Sequence, residues 1–133
     1  MIALDTNVLV RYLAQDDPAQ ARVVSDIIER AAEQDAPLFL SDVVIVETSW
    51  VLARAYKVSR SSIADVLHRL ADARHVEMRD DDSVRRAAAA YAKGKGDFAD
   101  YFVRELSRDA GCDEVLTFDR TLWREDGFRR AGS

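Results

Sequence analysis

Ile2-Ala3-Leu4-Asp5-Thr6-Asn7-Val8-Leu9 is the stretch on which the fold reading turns. A short apolar run begins at the N-terminus and stops at an acid, and a new apolar segment with helical spacing starts at Val8. An acid at the end of a buried strand marks the edge of a parallel sheet where ligands bind. Working outward, Val8 to Leu13 reads as a first helix with Thr6 and Asn7 near its cap. Asp16-Asp17-Pro18 opens a second helix, with Pro18 at an early position, and Ala21, Val24, Ile27, Ile28 and Ala31 form its apolar face. Leu38 to Leu40 is the next strand. Ser41 or Asp42 caps a helix through Leu52, and Ser59 opens another through Leu70. His75 to Met78 is a third strand, and Asp80-Asp81-Asp82 reads as a charged turn. Val84 to Tyr91 is an Ala-rich helix closed by Lys93-Gly94-Lys95-Gly96. Asp97 to Ala110 is helical and is stopped by Gly111. Val115 to Phe118 is a strand ending at Asp119, and a last edge strand is centred on Phe128. Strands separated by helices throughout predict a three-layer α/β/α sandwich around a central, mostly parallel sheet of four or five strands.

The chain has 133 residues, of which 48% are hydrophobic, enough to build one core in one domain over 1–133. A lone cysteine, Cys112, excludes an internal disulfide and a Cys-rich zinc knot, and its place beside Gly111 suggests a structural role. His68 and His75 lack the spacing of a helical zinc pair. No apolar run of membrane-spanning length and no targeting segment is present, so a soluble, cytoplasmic protein with no membrane partner is expected. Nineteen Lys and Arg against 24 Asp and Glu leave a formal charge of −5, which argues against strong nonspecific nucleic-acid binding. It does not exclude a nuclease, because bound cations reverse the local field of an acidic cleft.

The placement of the acids carries the chemistry. Asp5 and Asp119 each end an apolar strand, so in a parallel sheet both stand at the carboxyl edge. Glu47 lies early in the helix leaving the second strand at that edge, and Asp97 and Asp100 are three apart at a helix start. Read alone, Asp97 is equally a helix cap, Glu47 a surface acid and Asp119 a turn initiator. Asp5, set between an apolar strand and Val8-Leu9, needs a partner or a metal. Together, clustered like charges call for cations, and hard oxygen donors favour Mg²⁺ or Mn²⁺. Such ions activate water and stabilise a phosphoryl displacement.

With the opening octapeptide, the stretches Val46-Glu47-Thr48-Ser49-Trp50-Val51-Leu52, Asp97-Phe98-Ala99-Asp100 and Leu116-Thr117-Phe118-Asp119-Arg120 resemble the PIN domain family, most closely its VapC ribonuclease toxins. The resemblance covers essentially the whole chain in order. It implies a metal-dependent endoribonuclease with core acids at Asp5, Glu47, Asp100 and Asp119, and Asp97 as an additional acid one turn before Asp100. It further implies one or two Mg²⁺ or Mn²⁺ ions, an RNA substrate, a small cognate antitoxin of the VapB kind, and a homodimer. Thr6, Asn7 and Thr117 look like supports that orient the acids. In-line attack by water would leave a 5′-phosphate and a 3′-hydroxyl.

Lys93 and Lys95 either contact substrate phosphates or belong to a solvated loop. Arg11 and Arg120 either contact phosphate or pair with acids. Trp50 reads as core or interface, while Tyr12 and the first helices suit a dimer or antitoxin surface. A receiver-type phosphoacceptor would want an acidic pair after the first strand, where Asp5-Thr6 stands, and a lysine after a late one, where Asp119-Arg120 stands. A haloacid-dehalogenase-like phosphatase would want an acid where Asn7 stands. The alternative that stays open is a catalytically inactive PIN-fold module binding protein or RNA.

Overall fold

The computed structural model describes residues 1–132. Helix-start chemistry sets most of its boundaries. Strand β1 (Ile2–Ala3) leads into α1 (Thr6–Ala14), whose N-cap is Asp5. Helix α2 (Pro18–Glu33) starts with Asp17 as cap and Pro18 in its first turn, where a missing N–H has no cost. Strand β2 (Leu38–Leu40) is followed by α3 (Asp42–Arg54), capped by Ser41, whose hydroxyl accepts the Val44 amide. Ser59 caps α4 (Arg60–Asp72) in the same way, ahead of β3 (Val76–Met78).

The expected turn at Asp80–Asp82 is instead the start of α5 (Asp81–Lys93). Asp80 is its N-cap, accepting the Ser83 amide, and Asp81 and Asp82 fill the first turn. Acids there meet the positive end of the helix. Helix α6 (Phe98–Asp109) ends just before Gly111, which takes φ +95°. Strand β4 (Val115–Thr117), a short 3₁₀ turn (Arg120–Leu122) and β5 (Phe128–Arg130) complete the order.

All strand pairings among the described residues are parallel. Strands β1, β2 and β3 form one ladder, with Ile2 opposite Leu38 and Leu38 opposite Val76. Strands β4 and β5 form another, with Val115 opposite Phe128. The fold is thus mixed α/β with parallel strands flanked by helices, its five strands hydrogen-bonded as ladders of three and two. Ile2 on β1, Leu116 on β4 and Phe118 just past β4 remain exposed.

The core draws on strands and helices alike: Leu4, Leu9, Leu38, Leu40, Ile45, Ile63, Leu67, Val84, Phe98 and Tyr101 are all buried. Helix α5 packs against both α4 and α6. Its fully buried Ala87 and Ala88 let both neighbours approach closely. Phe98 stacks on Phe102 at 5.3 Å and meets Tyr91 edge-on at 6.4 Å, which fixes the start of α6 against α5. No helix among the described residues is long and apolar enough to cross a membrane.

Candidate active site

The acids sit where strands and loops hand over to helices, and backbone donors hold several of them in place. Asp5 Oδ1 accepts the Thr6 amide at 2.8 Å, so the carboxylate that ends β1 also caps α1. Asp5 is exposed, not trapped between β1 and Val8-Leu9 as its sequence position suggests. Water and the N-terminal end of α1 stabilise its charge. The Thr6 hydroxyl donates to Glu47 Oε1 at 2.9 Å, tying α1 to the first turns of α3 and setting Glu47 beside Asp5. Asn7 is exposed and makes no hydrogen bond to any of these acids. With Arg11 and Gln20 it lines a recess between α1 and α2. Arg11 is engaged by Asp16 at 3.2 Å and by Gln20 at 2.7 Å, the acid-pairing alternative of its two readings.

A second group forms at the start of α6. Asp97 is the N-cap, and Asp100 Oδ2 reaches back to accept the Asp97 amide at 2.8 Å. Burial raises the pKa of Asp100 above the usual carboxylate range, and the Asp97 amide opposes that shift. The charges of Asp97, Asp119 and Glu125 then add to the rise. Those three acids therefore bear on one partly buried carboxyl. Asp119, at the end of β4, is fixed from both sides: the Thr121 amide and hydroxyl donate to its Oδ1 at 3.0 and 2.8 Å, and its own amide donates to Thr117 Oγ1 at 3.0 Å. The two groups meet where α3 faces α6. There, Glu47 and Ala99 line one apolar groove of about 360 Å³, and Arg54 pairs with Asp97 at 3.5 Å.

Several residues that build this site carry no signal in the sequence. The buried Tyr101 hydroxyl accepts the Gly96 amide at 3.0 Å and donates to the Glu125 carboxylate at 2.6–2.7 Å. Burial and the hydrogen bond to Glu125 push its phenol above the ordinary value, so it stays protonated. From the other side, Arg60 lies over the Tyr91 ring at 4.2 Å and donates to the carbonyls of Tyr91 and Gly96. The Lys93–Gly96 loop is therefore clamped at both ends before it delivers Asp97. Side chains would not fit there: a Cβ on Gly94 would fall 1.9 Å from Tyr101 Oη, and one on Gly96 would fall 2.6 Å from Leu122 Cδ2. Glu125 follows no strand and has no pattern around it; only the fold brings it to Asp100.

The donor set is made of carboxylate oxygens, with neither histidine nor thiol among the residues above. That chemistry fits a hard divalent cation. Among the described residues no group of three or more His, Cys, Asp or Glu side chains converges closely enough to hold an ion as they stand. Asp5, Asp97 and Asp119 each sit as the N-cap of the helix or turn that follows.

Acids collected where the strands of a parallel α/β fold give way to helices define a carboxylate-centred class of α/β proteins. Within that class the chain belongs to the PIN domain family, whose family model matches residues 2–126. It is also 26% identical over 129 residues, covering 97% of this chain and 94% of the relative, to a protein named VapC ribonuclease from Aquifex aeolicus (strain VF5). This membership supports a nuclease-like role.

Proposed function

We propose that this chain, as one PIN domain over residues 1–133, is a Mg²⁺- or Mn²⁺-dependent endoribonuclease. It would hydrolyse RNA phosphodiester bonds as the toxin of a type II toxin–antitoxin pair. The observation that carries the reading is Asp100, a carboxyl held by the Asp97 amide whose pKa is raised first by burial and then by the charges of Asp97, Asp119 and Glu125, in a chain of the PIN family. Such crowding is stable when cations share it. Asp5, Glu47, Asp97, Asp100 and Asp119 would hold one or two ions. When bound, Mg²⁺ or Mn²⁺ supplies charge neutralisation and lowers the pKa of an attacking water.

The chain's own side chains do the positioning. Thr6 aims Glu47 by donating to one carboxylate oxygen, which leaves the other free. Thr121 and Thr117 hold Asp119 at the strand end, and the Asp97 amide holds Asp100. A small antitoxin and a second copy of the chain each need an apolar face. One candidate is the cavity of about 470 Å³ lined by Tyr12, Leu13, Ile28, Leu70 and Val76. The other is the α3–α6 groove, flanked by exposed Val43, Trp50 and Val103.

The test is cleavage of total cellular RNA by the purified protein with Mg²⁺, with Mn²⁺ and with EDTA, alongside Asp5→Asn. Metal-dependent cutting at a few sites, with 5′-phosphate ends and loss of activity in the variant, supports the proposal. The alternative of an inactive binding module draws on the unconverged carboxylates. It takes over if the folded, partner-free protein cuts nothing while Asp5→Asn binds RNA or protein equally well.

A further inference from the structure

Beside the acids lies a surface of opposite sign. Lys93, Lys95, Arg120 and Arg124 line one recess of about 430 Å³, together with Gly94, Thr121, Trp123 and Glu125. That volume falls within the roughly 300–1,000 Å³ range of ligand clefts. The sequence hints at Lys93, Lys95 and Arg120 separately. The fold joins them by folding the glycine-spaced loop against the 3₁₀ turn, and it adds Arg124.

Among the described residues none of the four cations forms an ion pair; Arg120 rests over the Trp123 ring at 5.8 Å. Arginines nearby are otherwise committed: Arg54 to Asp97, Arg86 to Glu105 and Asp109, and Arg108 to Glu105 and Asp126. The recess is also held in shape. Trp123 Nε1 donates to the Thr117 carbonyl at 3.1 Å, and Glu125, the acid of the lining, is engaged by the Tyr101 hydroxyl. Four cations against the one carboxylate of Glu125, around a fixed concavity in a chain of net charge −5, suit an anion that presents several charges in a row.

Resting on the ribonuclease reading, we propose that this recess is a phosphate-binding subsite for single-stranded RNA, holding the backbone next to the bond that the acids address. Arg120 follows Asp119 directly, and a Cβ on Gly96, next to Lys95, would fall 2.9 Å from Asp100 Oδ2, so the recess borders the acids. The acids repel the polyanion and the recess attracts it, so a strand crossing both is drawn in from the basic side. A flexible single strand can bend into a concavity of this size, whereas a stiff duplex cannot.

The test measures binding without cleavage: fluorescence anisotropy of a labelled decauridylate in EDTA across a series of KCl concentrations. Lys93→Ala/Lys95→Ala and Arg120→Ala/Arg124→Ala are each expected to reduce the slope of log K against log[KCl] by about 1.4, at about 0.7 per contact. With the 1 M intercept unchanged, that is about 25-fold weaker binding at 0.1 M. Arg22→Ala/Arg30→Ala, on the exposed side of α2, should leave both unchanged, and circular dichroism melts check that every variant is folded.

The proposal is overturned if the recess variants bind like the parent or if the α2 control loses as much. It is equally overturned if polyglutamate of matched charge binds as tightly with the same losses, since the surface then suits an acidic protein. The two readings fail separately. RNA binding through the recess without metal-dependent cutting removes the ribonuclease reading alone. Cutting with KM unchanged in both recess variants removes the subsite alone.

Discussion

Tyr101→Phe removes one oxygen at the point where the loop before α6 is fastened. The ring stays, with its edge-on contact to Phe128 at 6.2 Å and the Arg104 guanidinium at 5.3 Å, so packing is preserved and only the hydroxyl is tested. Two interactions go: the bond donated to the Glu125 carboxylate and the bond accepted from the buried Gly96 amide. A hydrogen bond to a charged group is worth about 1.5–3 kcal/mol, and orphaning a buried donor costs about 1–3 kcal/mol. Glu125 is half-buried and regains water, which lowers the total to about 3 kcal/mol. At about 2.1 cal/mol/K per residue, unfolding a chain of 133 residues carries about 0.28 kcal/mol/K, so Tm falls by about 11 °C. Thermal melts by circular dichroism read that directly. Below the melt, a loosened loop misplaces Asp97 and Asp100, and RNA cleavage at saturating substrate should drop roughly 10–100-fold. A Tm within about 3 °C of the parent would refute the claim that this hydroxyl holds the loop.

Three further perturbations separate the orienting contacts from the scaffold. Thr6→Val keeps shape but loses the donor to Glu47; kcat should fall roughly tenfold with Tm unchanged, and Thr6→Ser should restore it, as single-turnover cleavage would record. Glu105→Gln leaves Arg86, Arg104 and Arg108, now 2.9–3.1 Å from one buried carboxylate, facing a neutral amide. Urea denaturation should show a loss of about 3 kcal/mol, below the full cost of a broken buried pair because Arg86 and Arg108 reach water; no loss would mean that the network contributes nothing. Asp80 has a lowered pKa, chiefly through the Ser83 amide it caps, so its contribution is present above the unfolded value near ~3.9 and lost as pH falls through the folded one. Asp80→Asn keeps an acceptor but not the titration, so its stability should fall less steeply than the parent's below about pH 4 in acid melts.

The elements that the sequence makes legible are those whose signals are local. Pro18 behind Asp17, Ser41, Ser59 and Gly111 each state a helix boundary through their own backbone chemistry, and the structure places helix ends there. Asp80–Asp82 misleads because consecutive acids suit a polar turn and a helix N-terminus alike, and nothing local decides between them. The candidate acids were visible by the same logic, each following an apolar run or opening a helix. Tyr101, Arg60 and Glu125 were not, because their roles arise from contacts up to 36 residues apart in sequence, and only the fold sets Arg124 in one recess with Lys93.

That difference bears on how the site is built. Asp5, Asp97 and Asp119 stand at N-caps, where helix or turn amides welcome a carboxylate whether or not a cation is present. Local folding therefore sets them in place at little cost. Asp100 differs: it is partly buried, its pKa is raised, and the amide of Asp97 only partly offsets that shift. A cation bound beside it would offset that cost. Asp100→Asn should therefore stabilise the metal-free protein while abolishing metal-dependent cutting, because it removes a charge disfavoured first by its burial and then by repulsion from Asp97, Asp119 and Glu125. Melts with and without Mg²⁺ distinguish this from simple damage. A variant less stable than its parent in EDTA would show that Asp100 serves the fold as a capping residue, and that the crowding of acids around it is no stored preference for metal.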